Sequence, residues 1–118
     1  MGKDNLIVTK TFDFSLLIIE LYRFLIENKE YVLSKQLLHS ATSIGANVEE
    51  AVGGASRKDF INKLQIAYKE ARETRYWLKL LKDGEIVEKK LAESFFEDCE
   101  EIIKILTTIL NSSKGGNS

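Results

Sequence analysis

Proline is absent from all 118 residues, so the ring that most often breaks a helix never interrupts the chain. Glycine is scarce, with seven in total. Apart from Gly2 and Gly45, the glycines gather at Gly53-Gly54, Gly84 and the end of the chain, where they punctuate apolar segments rather than interrupt them. Long unbroken helices are the natural expectation. The single cysteine, Cys99, excludes an internal disulfide and favours a reducing compartment. The single histidine, His39, excludes the di-metal site that helical bundles often carry. That site needs Glu-x-x-His on two helices, and Gln36 stands three residues before His39. His39 reads instead as a helix-surface residue. No apolar run approaches the length that spans a bilayer, and Met1-Gly-Lys-Asp-Asn5 lacks a basic-then-apolar leader pattern. No membrane association is expected, and the cytoplasm is the default location. A net charge of −1 gives no global pull toward nucleic acid or lipid.

Catalytic constellations are missing as well. Cys99 falls between Phe95 and Ile102 on an apolar helical seam, where a thiol is buried and inert. One histidine with no acid arranged around it assembles no triad. Gly53-Gly54 is not followed by Lys-Ser or Lys-Thr, so it is no phosphate loop. Neither an enzyme nor a cofactor is expected.

What the chain does have is helical period over nearly its whole length. The expected organisation is an N-terminal arm over 1–9, a four-helix bundle over 10–111 and a disordered polar tail over 112–118. Helix 1 should begin at Lys10 or Phe12 and end at Asn28, with Thr11 and Asp13 in its first turn as cap and dipole partner. Its main line is Phe14, Ile18, Leu21 and Leu25, widened by Phe12, Leu17 and Phe24. Helix 2 should start at an N-cap Ser34 and end near Ala51 or Val52, stopped by a left-handed Gly53-Gly54. Leu37, Ala41, Ile44, Val48 and Ala51 form its seam. Helix 3 follows Ser56, which with Asp59 resembles a capping box. Phe60, Leu64, Ala67, Ala71, Thr74, Leu78 and Leu81 repeat as a heptad seam narrowed in the middle, and Asp83-Gly84 ends it. Helix 4 should run from Ile86 to Leu110 along Leu91, Phe95, Cys99, Ile102, Leu106 and Ile109. Short connections force antiparallel neighbours, so the fold class is all-α, an up-down-up-down antiparallel four-helix bundle.

Apolar residues off these seams exceed what one bundle core uses: Leu16, Ile19, Tyr22, Ile26, Phe96, Ile103 and Ile105, with Tyr68, Tyr76 and Trp77 on helix 3. That surplus points to a second buried face and hence to self-association.

Two polar patterns remain. On helix 2, Gln36, Ser40, Ser43, Asn47 and Glu50 run one position ahead of the apolar seam. Asn47 and Glu50 could meet a ligand or partner, but the reading preferred here is structural. Ser43, Asn47 and Glu50 should form a buried hydrogen-bond network with Glu73, Arg72 or Arg75 of helix 3. The second pattern is electrostatic. Residues 53–82 carry eight bases against three acids, and residues 83–118 carry eight acids against four bases. On helix 3 Lys58, Asn62, Gln65, Lys69, Arg72, Tyr76 and Lys79 share one stripe, flanked by Arg75 and Lys82. Lys58, Lys63, Lys69, Arg72, Arg75 and Lys79 could hold phosphates while Tyr76 stacks on a base. Alternatively the stripe is a solvated face whose charges pair with Glu93, Glu97, Glu100 and Glu101 of helix 4.

These residues together carry a resemblance. Leu33-Ser-Lys-Gln36, Ser43-Ile44, Ala46-Asn47-Val48 with Glu50, and Arg57-Lys-Asp-Phe60 with Leu64, Ile66-Ala67, Glu70 and Glu73 resemble the bundle proteins encoded in intervening sequences of bacterial 23S ribosomal RNA genes, the S23 ribosomal protein family. Ala51 departs from the glycine that commonly follows the motif glutamate, which lengthens helix 2 by about half a turn. The resemblance implies a small cytoplasmic homopentamer. It also implies kinship with the accessory protein of diversity-generating retroelements, which binds nucleic acid and a reverse transcriptase. The expected function is therefore a non-enzymatic, oligomeric accessory protein that binds RNA or DNA. The alternative is a protein-interaction scaffold without nucleic-acid binding.

Overall fold

The computed structural model describes the backbone of residues 2–115 and the side chains of residues 6–113. Four helices follow one another: α1 (Gly2–Glu27), α2 (Val32–Val52), α3 (Arg57–Asp83) and α4 (Lys89–Gly115). Each packs on its neighbours in sequence and α1 closes on α4, giving an up-down-up-down bundle of 48 × 21 × 20 Å. The α2–α3 interface is the most extensive and the α1–α4 interface the thinnest.

The core is one apolar stripe per helix, as the periodicity requires. All five α2 seam residues are buried, as are Leu64, Ala67, Ala71, Thr74, Leu78 and Leu81 of α3. Phe60, at the head of the α3 seam, is half-buried. Phe14, Ile18, Leu21 and Leu25 of α1 are buried too. Phe12, Leu17 and Phe24, expected to widen that line, instead lie outside it at 58%, 43% and 45% exposure. The stripe extends N-terminally through Thr11 and Ile7. Those positions continue the three- and four-residue steps backward, which is why α1 starts at Gly2 and the segment 1–9 is no separate arm over its described residues. Thr11 is accordingly not a cap. It is buried in mid-helix, and its hydroxyl donates to the Ile7 carbonyl at 2.8 Å.

The other boundary differences have local causes. Tyr31, not Ser34, occupies the N-cap of α2 and provides no side-chain cap. The Glu30 carboxylate accepts from the Leu33 N–H, and Ser34 sits buried in the first turn donating to the Tyr31 carbonyl. Gly53 has φ −84°, so α2 ends without a left-handed residue. Ser56 does cap α3, accepting from the Asp59 N–H at 3.1 Å. After α3, Glu85 takes the left-handed conformation with φ 57°. Gly84 beside it is needed for room, since a Cβ there would lie 2.7 Å from the Leu80 carbonyl. In α4 the stripe uses Ala92 rather than Leu91, which is 42% exposed. The helix continues past Leu110 to Gly115, so most of the stretch expected as a disordered tail is helical, and residues 116–118 lie outside the described residues. Arg57 at the start of α3 holds this end, donating to the Ser113 carbonyl at 3.1 Å.

Small residues let the helices approach. Buried Gly45 on α2 faces the Thr11 carbonyl and Ser15 hydroxyl of α1, 3.4 and 3.5 Å from where a Cβ would stand. Between α2 and α3 the Thr74 hydroxyl lies 2.9 Å from that of Ser40, both fully buried. Each also has a carbonyl of its own helix within reach, Glu70 at 2.8 Å from Thr74 and Leu37 at 3.3 Å from Ser40, so two hydroxyl protons are shared among three contacts. Between α3 and α4 the Cys99 thiol donates to the Ala71 carbonyl at 3.3 Å.

Two outcomes follow. Ser40→Ala or Thr74→Val should each cost about 1 kcal/mol in urea unfolding, because each leaves a buried hydroxyl or its site with one bond fewer. The double variant should cost clearly less than the sum, since each single variant already loses the Ser40–Thr74 contact that the double variant loses only once. Strict additivity would show that the two hydroxyls are uncoupled. Burial, the largest cause, pushes the Cys99 thiol from 9.0 up to about 12, so the folded protein holds this proton more tightly than the unfolded chain. The stabilisation is complete below about 9 and is lost as pH rises toward about 12. Cys99 should therefore resist iodoacetamide at pH 8 in buffer and react readily in urea, a contrast read by mass spectrometry.

Candidate nucleic-acid interface

The heptad seam of α3 turns its complementary stripe outward. Lys58, Asn62, Gln65, Lys69, Arg72, Tyr76 and Lys79 recur at steps of three and four, and every one is exposed. Over 21 residues of rise the ridge is about 32 Å long. It contains no carboxylate.

The flanking cations behave differently. Arg75 reaches α4 and donates to Glu100 at 2.6 Å, and Lys82 faces Glu93 at 3.9 Å while lying 5.4 Å from the centre of the Phe96 ring. Lys63 reaches the other way, to Glu50 of α2 at 2.8 Å. Lys79, at the C-terminal end of the ridge, is held by Asp83 at 2.9 Å within its own helix. The bond with Lys79 is the main reason the Asp83 carboxyl titrates below its ordinary value. Glu101, expected opposite α3, pairs instead with Lys10 of α1. Helix geometry explains the division, because residues on the seam side of the ridge lie within reach of a neighbouring helix and residues on its crest do not.

Three cations remain on the crest without an ion pair among the described residues: Lys58, Lys69 and Arg72. Arg72 donates to the Tyr68 hydroxyl at 3.1 Å and lies 5.8 Å from that ring's centre, which orients the guanidinium without neutralising it. Tyr76 is 55% exposed and edge-on to Trp77, with ring centres 5.2 Å apart. Of the seven candidates read from the sequence, Lys58, Lys69, Arg72 and Tyr76 are thus free to meet a ligand. Lys63, Arg75 and Lys79 are compensated.

The helix 2 network does not form. Ser43 donates to the His39 carbonyl at 2.7 Å and Asn47 to the Ser43 carbonyl at 2.9 Å, both within α2. Glu50 is exposed and takes Lys63, while Glu73 accepts from the Trp77 indole N–H at 3.1 Å. These residues lie on the outer shoulder of the α2–α3 interface. The link that does cross it, Ser40 to Thr74, lies one seam deeper.

The structure also shows a feature that no single-helix pattern signals. A groove of about 370 Å³ opens between α3 and α4, lined by Gln65, Tyr68, Lys69, Thr107, Leu110 and Asn111. Its α4 half lies on the last turns of a helix whose register becomes known only once α4 extends past Leu110. Elsewhere, among the described residues, no group of three or more His, Cys, Asp and Glu could hold a metal ion. No helix among them is long and apolar enough to cross a membrane.

Exposed ion pairs are worth little, so Glu50→Ala should shift the unfolding free energy by less than about 1 kcal/mol. Asn47→Ala, which gives up a bond within its own helix, should behave similarly. A loss of several kcal/mol in urea unfolding for either would restore the buried-network reading.

The model of the family described as 23S rRNA-intervening sequence protein matches residues 3–108. Among solved structures, a crystal structure described as a protein with unknown function from the S23 ribosomal protein family of Bacteroides thetaiotaomicron is 51% identical. The match covers 92% of this chain and 98% of that one, with a TM-score of 0.90. Comparison with curated proteins returned no match.

Proposed function

Because this chain belongs to the 23S rRNA-intervening sequence protein family, whose solved member just described is of unknown function, we propose a function from its surface: a non-enzymatic, oligomeric accessory protein of the cytoplasm that binds RNA or DNA along the α3 ridge. The observation that carries this reading is the crest of α3. It exposes seven residues with no carboxylate, three of them cations outside any ion pair among the described residues. An ammonium or guanidinium left in water keeps its full capacity to displace counterions from a phosphate chain, whereas one already paired must first break its bond. The compensated cations Lys63, Arg75 and Lys82 then serve the bundle by tying α3 to α2 and α4.

Self-association belongs to the same proposal. Phe12, Leu16, Leu17 and Phe24 of α1 are each more than 40% exposed. Such a set on one helix suits contact with other copies, in keeping with the pentamer that the family resemblance implies. A homopentamer would present five ridges to one strand, and modest patches then sum through effective concentration.

One observation favours the second reading, a protein-interaction scaffold: four of the cations on and beside the ridge are already compensated. A reverse transcriptase, the protein partner that the resemblance implies, would suit that scaffold.

Salt separates the readings. Fluorescence anisotropy with a labelled single strand should give log affinity falling against log salt with a slope of roughly −2 for each protomer engaged, the value for three phosphate contacts. The variant Lys58→Glu/Lys69→Glu/Arg72→Glu should lose binding while keeping the oligomer mass in light scattering. Lys82→Gln should leave affinity within about twofold, since its charge is already committed to Glu93. A wild-type protein that binds no strand at low salt would move the assignment to the scaffold, and a monomer in light scattering would remove the assembly.

A further inference from the structure

We infer that the groove between α3 and α4 is a pocket for a single unpaired nucleobase of the bound strand, which makes the α3 ridge a reader of bases as well as a holder of phosphates. This inference rests on the nucleic-acid reading above.

The chemistry of the lining carries it. The groove, at about 370 Å³, falls within the range of small-ligand sites, about 300–1,000 Å³. Its six lining residues supply each kind of contact that a base requires and no carboxylate that would repel the adjoining phosphate. Leu110 gives an apolar floor and Tyr68 an aromatic surface. Gln65 on α3 and Asn111 on α4 present two primary amides, each with two donors and an acceptor, which is the geometry that pairs with base edges. Neither amide is hydrogen-bonded to another group among the described residues, and both are exposed at the groove mouth. The Thr107 hydroxyl spends its proton on the Ile103 carbonyl at 2.8 Å, so it faces the groove as an acceptor. Lys69 lines the groove and is also a crest cation. Arg72, the next crest cation, is bound to the Tyr68 hydroxyl. A backbone phosphate on these two cations therefore brings its own base to the groove, without the strand leaving the ridge.

Base edges are open in a single strand and closed in a duplex, so the expected ligand is single-stranded. The contrast with the other grooves supports the choice. The α1–α4 groove is lined by Asp13 and Asp98 together with Lys10, whose ammonium is already taken by Glu101, and burial together with Glu101 raises the Asp98 carboxyl, so two carboxylates there face one committed cation.

The test uses the full-length protein and a labelled ten-nucleotide strand, with and without a single abasic site scanned along it. Expected is a register at which the abasic strand binds roughly tenfold more weakly, the scale of one base stacked on an aromatic ring. The variant Gln65→Ala/Asn111→Ala should erase any preference among homopolymers at that register, while leaving the salt slope unchanged. Because both residues are exposed, the variant should fold as the wild type does, which circular dichroism checks. Binding with a normal salt slope but indifferent to every abasic site would overturn the base pocket and leave the phosphate ridge standing. Absence of strand binding would overturn both. A parallel NMR titration with the mononucleotides AMP, GMP, CMP and UMP addresses the source of the base. Filling of the groove by a free nucleotide as tightly as by the strand would overturn the strand as its ligand.

Discussion

The extensive contact of α2 on α3 governs where everything else points. The buried seams of the two helices include Ala41 on α2 and Ala67 and Ala71 on α3, and a buried hydroxyl pair, Ser40 with Thr74, crosses between them. Small side chains permit close approach, and two hydroxyls that also bond within their own helices add direction to a contact that apolar groups alone leave free to slide. Once α3 is fixed in this orientation by α2 on one side and α4 on the other, the opposite stripe has no neighbour. The exposure of the crest from Lys58 to Lys79 is thus a consequence of the core rather than an independent feature.

The same geometry sorts the charges. A net charge of −1 hides opposite charge on adjacent helices, because the bases concentrate on α3 and the acids on α4. Where the two helices meet, Arg75 and Lys82 find Glu100 and Glu93. Such half-exposed pairs add little to stability, but they consume the cations nearest the interface and leave the crest as the residual positive surface. Opposite charge on adjacent helices therefore serves two purposes, separated by less than a quarter turn.

The sequence made the fold legible because the helical period is strong and uninterrupted by proline. Seam residues such as Leu37, Val48, Ala71 and Ile102 could be placed without coordinates. Boundaries were less legible for a physical reason. A helix start without a capping residue leaves no local mark, so the extension of α1 to Gly2 and of α4 to Gly115 depends on burial of Ile7 and Ser113 against other helices. The exposed ridge could also be read, since it is simply the complement of the seam. Which cations stay unpaired could be read only in part: the position of Lys69 on the crest follows from the period, but the carboxylates Glu50, Glu100 and Glu93 that take Lys63, Arg75 and Lys82 depend on how α2 and α4 dock. The expected helix 2 network failed for a related reason: Ser43 and Asn47 each reach a carbonyl four residues back in their own helix. That local bond competes successfully with any partner on α3.

Under the proposed reading, affinity and selectivity come from different parts of the same helix. Three crest cations per protomer give a weak, salt-sensitive hold that ignores sequence. A groove that reaches across to α4 adds a contact that only a base can make, and it requires the two helices to keep their register. Register in turn depends on the α3–α4 packing around Cys99, whose thiol bonds to the Ala71 carbonyl beneath the ridge. Core and surface are then linked through one helix. Gln65 and Asn111 stand on the same two helices that the Cys99–Ala71 bond joins, so under this reading the spacing that a base would meet depends on how the bundle core packs α3 against α4.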